Sequence, residues 1–289
     1  MKRSDLVPPI VMRAAKRLLR PTPPASRLAS VPKRATFSTY EDAMKECGAH
    51  GYETDALVEV VFRKTVAFRD ALRDFPLEMS ASDTLALFAL GLALRGTAPI
   101  TVLDFGGACG AHYFRMRALF GPDVRLRWQV VETPAMARRA GALQTNELSF
   151  SDSLAEAGKS LGRIDIVYSS GTLQCVPNPH ETLRQLISCR APCLVLPRLG
   201  LSETAADVIT VHEARLSDNG PGPLPVGMPD GTTRYPFTFP ARHAIEASLM
   251  KDYEVILRVP DPSGVYPVNE EPLAGAGYVA QAKNPDLRT

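Results

Sequence analysis

The sequence predicts an α/β protein: a doubly wound, largely parallel sheet of seven strands with an antiparallel last strand, preceded by a helical cap. Three observations predict it. Apolar strand-like runs alternate with helix-length segments from about residue 98 onward, and parallel neighbours need such long crossovers. The first of these runs, Ile100-Thr-Val-Leu-Asp104-Phe, is followed at once by Gly106-Gly107-Ala-Cys-Gly110. The last two, Tyr253–Val259 and Gly277–Gln281, are joined by a Pro/Gly loop too short for a helix, which predicts a hairpin and so a reversed last strand.

Taken in order, residues 1–34 form a basic tail, 35–97 a helical cap region and 98–289 the main domain. The tail holds nine Lys or Arg and one acid, a net of +8; the chain as a whole carries +2, which leaves −6 for the remainder. Pro8-Pro9 is suited to open a helix over residues 10–20. There Ile10, Val11, Ala14, Ala15, Leu18 and Leu19 share one face and Arg13, Lys16, Arg17 and Arg20 the other, before Pro21, Pro23 and Pro24 stop it. Such a helix suits peripheral contact with an anionic membrane surface or packing against its own domain or a partner. The tail lacks the uninterrupted apolar core and small-residue cleavage site of a secretory signal. No apolar run approaches 18 residues, so no spanning helix is expected.

In the cap region, Tyr40 to about Asp74 and Ser80 to Leu94 read as helices, with Leu57, Val60, Val61, Lys64 and Phe68 at helical spacing and Ser82 as an N-cap. Strands follow near 100–105, 126–132, 147–150, 164–169 and 192–197. An insertion at about 199–240, rich in Pro and Gly, is expected to form a lid or pocket rim. The five cysteines include no C-x-x-C pair, which fits reduced thiols in a cytoplasm. The acidic body has no basic stripe interleaved with aromatics, so no specific nucleic-acid partner is expected.

The glycine cluster reads as a nucleoside-cofactor loop, because glycine lets the backbone turn sharply and approach a ligand where a Cβ would clash. Its glycines are adjacent rather than spaced as G-x-G-x-x-G, and Asp104 stands two residues before them. An acid there repels a pyrophosphate and suits a cationic group. S-adenosylmethionine carries an ammonium and a sulfonium and no phosphate. A second run, Leu126-Arg-Trp128-Gln-Val-Val-Glu132, ends in an acid 28 residues beyond Asp104, placed to accept ribose hydroxyls.

Leu103-Asp-Phe-Gly-Gly-Ala-Cys-Gly110 with Tyr113, then Trp128–Glu132, then Ser169-Ser-Gly-Thr-Leu-Gln174 and Asn178-Pro179, resembles a family of class I S-adenosylmethionine-dependent methyltransferases. Outer matches are Gly51-Tyr52, Arg198 and Tyr235-Pro236, and coverage runs from about Phe37 to about Ala282. The resemblance implies a Rossmann-like fold, S-adenosylmethionine as cofactor and a small-molecule or saccharide-linked acceptor, since genes of this family often lie near those for surface polysaccharide synthesis. It also adds Tyr113 to a cofactor set of Asp104, Gly106, Gly107, Gly110, Glu132, Ser169, Ser170 and Gln174. The chain departs from the pattern at Cys175, where an aromatic residue, usually Tyr, is expected, which bears on acceptor preference.

Methyl transfer asks the protein to align the acceptor and, for oxygen, to remove a proton. The five histidines are His50, His112, His180, His212 and His243. His112 sits close to the glycine loop with its direction open, and His180 falls at a surface-like helix start. His212 lies in the insertion, where acceptor-side elements are expected, with Glu213 beside it to orient or assist. Arg198 is suited to clamp an anionic acceptor or to pair with an acid, and Tyr235 to stack on an acceptor or anchor the lid. The reading is a cytoplasmic methyltransferase acting on oxygen or nitrogen. The alternatives are a non-catalytic Rossmann-like partner-binding or regulatory subunit and, disfavoured by the glycine spacing, an NAD-dependent oxidoreductase.

Overall fold

The structure, a computed structural model, describes residues 35–48, 51–72, 77–94, 98–263 and 265–284. The basic tail with its predicted helix at 10–20, and His50, lie outside the described residues.

Seven strands form the main sheet: β2 (Ile100–Phe105), β3 (Leu126–Val131), β4 (Leu148–Ser151), β5 (Ile166–Tyr168), β6 (Cys193–Ser202), β9 (Tyr253–Pro260) and β10 (Leu273–Ala282). Their order is β4-β3-β2-β5-β6-β10-β9. β2 pairs in parallel with both β3 and β5, whereas β10 runs antiparallel to β6 and β9. This is the predicted Rossmann-like sheet with its one reversed strand. The chain first winds outward from β2 to β4, then returns to β2's other side with β5. That reversal opens a crevice at the carboxyl ends of β2, β3 and β5, where doubly wound sheets bind ligands.

Both sheet faces are covered, which is why the strands read as continuous apolar runs. Alternate residues of β2 serve the two cores. Val102 packs with Trp128, Met116, Leu85 and Leu57 on one side, and Leu103 with Leu183, Leu194 and Leu249 on the other. The first layer holds α2 (Asp55–Ala71), α3 (Ala81–Ala93), α4 (Ala111–Phe120) and α5 (Pro134–Ala140); the second holds α6 (Leu154–Leu161), α7 (Pro179–Ser188) and α8 (Arg242–Asp252).

Local chemistry corrects several boundaries. The helix expected over Tyr40–Asp74 is divided into α1 (Tyr40–Lys45), a short turn at Gly51–Glu53 and α2; Thr54 caps α2 by accepting from the Leu57 N–H at 3.3 Å. At α3 the cap is Ser80 rather than Ser82: Ser80 Oγ accepts from Asp83 N while Asp83 Oδ2 accepts from Ser80 N, the reciprocal pair of a capping box. β5 is shorter than expected, although Asp165 N still donates to Thr101 O in β2 and Ser169 N to Val195 O in β6; the Asp165 side chain also accepts from the N–H and hydroxyl of Thr101. β6 is longer, to Ser202, because β10 pairs with it along that length.

The insertion therefore begins after Ser202. It contributes β7 (Val208–Arg215) and β8 (Thr232–Phe239), which with β1 (Thr36–Phe37) make a small antiparallel sheet in the order β1-β7-β8. The Pro/Gly stretch joins β7 to β8. Among the described residues no helix is long and apolar enough to cross a membrane.

Candidate functional site

A cavity of about 410 Å³ opens at the carboxyl ends of β2, β3 and β5, within the range of small-molecule sites. Gly106, Gly107, Ala108, Ala111, His112 and Glu132 form one wall. Facing them are Ser170, Gly171, Thr172, Cys175 and Arg198 from the β5 and β6 ends. The cap supplies Tyr52, Thr65, Phe68 and Asp83, and the β7–β8 loop supplies Asp218, Gly220 and Pro221. Part of the insertion thus lines this cavity.

Gly106 leaves β2 at φ 74°, and a Cβ there would overlap the Thr172 side chain. Gly107 has a different constraint, since a Cβ would run into the Asp104 carboxylate directly beneath it. Asp104 is wholly buried. Its Oδ2 accepts from Trp128 Nε1 at 3.0 Å and stands 3.4 Å from His112 Nδ1, while its Oδ1 has no hydrogen-bond partner. Asp104 is therefore the anchor under the loop rather than part of the cavity wall. A buried carboxylate needs such donors to persist.

Glu132 follows β3 and lines the cavity. One oxygen accepts from Ala108 N and the other from Thr133 N, both at 2.9 Å. Burial pushes its carboxyl up to about 6, against the pull of those two N–H groups. Each oxygen keeps a lone pair for a further donor.

His112, in the first turn of α4, is the one of the four described histidines that lines the cavity. Its ring meets Tyr168 edge-on at 4.9 Å. Arg115, one turn later, is paired with Asp83 at 3.3 Å. Ser170 is buried, and its Oγ and carbonyl accept from Arg198 Nε and Nη2 at 2.9 and 3.1 Å.

Other candidates from the sequence fall elsewhere. His212 stacks on Tyr266 at 4.5 Å and packs with Tyr235 and Phe237 in the small sheet, away from the cavity wall. Glu213 cannot orient it: successive strand residues point to opposite faces, and Glu213 is exposed beside Arg234. Tyr235 is buried one layer behind Tyr52, edge-on at 4.9 Å. Tyr113 turns its phenol away to Glu147 at 2.9 Å. Ser169 and Gln174 are buried behind the wall, and Gly110 packs against Leu148. His180 pairs with Asp207 at 2.9 Å, and His243 is exposed. At position 175 the wall has a thiol, with Tyr52 and Tyr235 packed in the same cluster, so aromatic surface comes from other elements.

The cap helices carry no motif that singles out Thr65, Phe68 and Asp83 as wall residues, and the same holds for Asp218 in the insertion, because these residues come from distant elements. His112 is legible from its place in the first turn after the glycines, with its direction left open; the structure puts it in the cavity wall.

No family model and no curated protein matches this chain. Among solved structures, it is similar to the N-terminal domain of EvdMO1 with SAH bound, at 16% identity, covering 82% of this chain and 100% of that one with a TM-score of 0.43. It is also similar to SAM-bound CalS10, an amino pentose methyltransferase from Micromonospora echinaspora, at 14% identity, 73% and 99% coverage and a TM-score of 0.42. A third is the glycopeptide N-methyltransferase MtfA complexed with sinefungin, at 13% identity, 76% and 96% coverage and a TM-score of 0.41.

Proposed function

We propose that this chain transfers a methyl group from S-adenosylmethionine to an oxygen or nitrogen of a small-molecule or saccharide-linked acceptor. The observation that carries the reading is that Glu132, accepting from Ala108 N, shares one cavity wall with the side-chain-free backbone of Gly106 and Gly107. That pairing suits a ribose whose hydroxyls reach a carboxylate while the backbone approaches closely. Asp104 and Glu132 place two acids at neighbouring strand tips, which favours a cationic cofactor over a pyrophosphate. S-adenosylmethionine supplies an electrophilic methyl group, so the protein has only to align an acceptor and handle its proton.

In this reading Glu132 accepts the ribose hydroxyls, and Asp104, buried beneath the loop, attracts the cationic end through its charge. Ser170 offers a hydroxyl at the facing wall. Tyr113, Gly110, Ser169 and Gln174 support the wall from behind. The proton acceptor passes from His212, with Glu213, to His112. Asp104 beside Nδ1 favours the tautomer carrying its hydrogen there, which leaves Nε2 free to accept a proton. Tyr235 holds Tyr52 in place.

The test is a calorimetric titration of the purified chain with S-adenosylmethionine, S-adenosylhomocysteine and NAD in parallel. Saturable binding of both adenosyl ligands without NAD is expected. NAD binding alone overturns the reading, and silence from all three favours a non-catalytic partner-binding subunit.

A further inference from the structure

We propose that Arg198 is the recognition group for an anionic acceptor, one bearing a carboxylate or a phosphate. That the bound anion is a methyl acceptor rests on the methyl-transfer reading above; the anion site itself does not.

Leu196 faces Tyr278 and Leu199 faces Ala276, so Pro197 and Arg198 together oppose Gly277. Two residues against one is a β-bulge, a device that re-aims a side chain and breaks the ladder locally. Pro197 has no N–H to give to the ladder. Arg198 adopts φ 56°, a left-handed backbone that an arginine rarely takes. Such strain persists where the surroundings enforce it. Here they do so on both sides, because the Arg198 N–H donates to Asp261 Oδ2 at 3.2 Å and its carbonyl accepts from Gln174 Nε2 at 2.7 Å.

The side chain is held as firmly as the backbone. Its Nε donates to Ser170 Oγ and its Nη2 to the Ser170 carbonyl. The guanidinium lies against Gly171, so close that a Cβ there would come within 3.1 Å of Nη2. Two of five N–H groups are used, which leaves both on Nη1 and one on Nη2. Those form the outer edge of the fork, the edge that binds a carboxylate or phosphate through two parallel bonds.

Its charge is also uncommitted. Among the described residues no carboxylate forms an ion pair with this guanidinium, whereas Arg115 in the same cavity is paired with Asp83. The other acids of the wall accept from groups other than Arg198. Glu132 accepts from two backbone N–H groups, and Asp218 accepts from Arg215 N. A strained, doubly anchored arginine that presents an open fork to a cavity is built to meet an anion. The competing source of that anion is the carboxylate of a bound cofactor's amino-acid end, and the experiment separates the two.

The ¹⁵N–¹H resonance of Arg198 Nε is followed in the full chain without cofactor and assigned by its loss in Arg198→Met. The probes are D-glucuronate, D-glucose 6-phosphate and neutral D-glucose at millimolar concentration. We expect a saturable shift with at least one anionic probe and none with glucose. Arg198→Lys, which keeps the charge and loses the fork, should weaken anion binding about tenfold while calorimetric affinity for S-adenosylhomocysteine stays within about threefold. Absence of any anion-specific shift in the wild-type chain overturns the proposal. So does an Arg198→Lys variant whose loss falls on S-adenosylhomocysteine, since that assigns the fork to the cofactor. Failure of wild type to bind S-adenosylhomocysteine at all overturns the methyl-transfer reading and leaves the anion shift to decide Arg198.

Discussion

Trp128 Nε1 donates to Asp104 Oδ2 at 3.0 Å, a buried hydrogen bond that ties β3 to β2 directly beneath the glycine loop. Because Asp104 Oδ1 has no partner of its own, the indole is the main neutral donor to this carboxylate. Trp128→Phe keeps much of the ring's packing and removes the donor. It should lower unfolding free energy by about 1–3 kcal/mol, read from urea denaturation. A change under about 0.5 kcal/mol would mean that the carboxylate does not depend on the indole.

The loop above it has no spare room. Gly107→Ala places a Cβ against a carboxylate fixed between Trp128 and His112, so it should weaken S-adenosylhomocysteine binding at least about tenfold or destabilise the fold by more than about 1 kcal/mol. Gly158, inside α6 with open space around it, is the control. Gly158→Ala should stabilise by about 0.5–1 kcal/mol, and equal behaviour of the two variants in denaturation and titration would refute the steric account.

Glu132 makes cofactor affinity sensitive to pH. Its folded carboxyl is raised from 4.5 to about 6 by burial, so the folded chain takes up a proton before the unfolded chain does. Fold stability at this group therefore falls as pH rises from about 4.5 to 6, while the charged form that accepts two hydroxyls is gained. S-adenosylhomocysteine affinity should rise across that window, and Glu132→Gln should show weaker, nearly flat binding. A wild-type profile as flat as the variant's would remove Glu132 from the ribose role.

His112 carries the proton-accepting role in the proposed reaction. With an acceptor found by screening, His112→Asn should lower kcat about 10²–10⁴-fold and leave S-adenosylhomocysteine affinity nearly unchanged. Full activity of the variant would rule His112 out. A tenfold loss of cofactor affinity would reassign the imidazole to cofactor binding.

Much of this protein is written in local pattern. Apolar runs of strand length, separated by helix-length segments, dictate a parallel sheet because each run can be buried only by helices on both faces. Gly106, Gly107 and Glu132 are legible for a similar reason: a close backbone approach and an acid at a strand tip are properties of short stretches of chain.

Tertiary packing decided the rest. Which histidine meets the cavity depended on how α4 docks, which set His112 beside Asp104, while strand pairing in the small sheet drew His212 into an aromatic stack. Tyr113 matched the motif, yet its phenol found Glu147. The aim of Arg198 depended on a register shift against Gly277, a strand partner 79 positions away in the chain. Periodicity along a sequence specifies which face of an element is apolar; a bulge, a docking angle or a cavity wall depends on contacts between segments far apart in that sequence, and these exist only once the chain has folded.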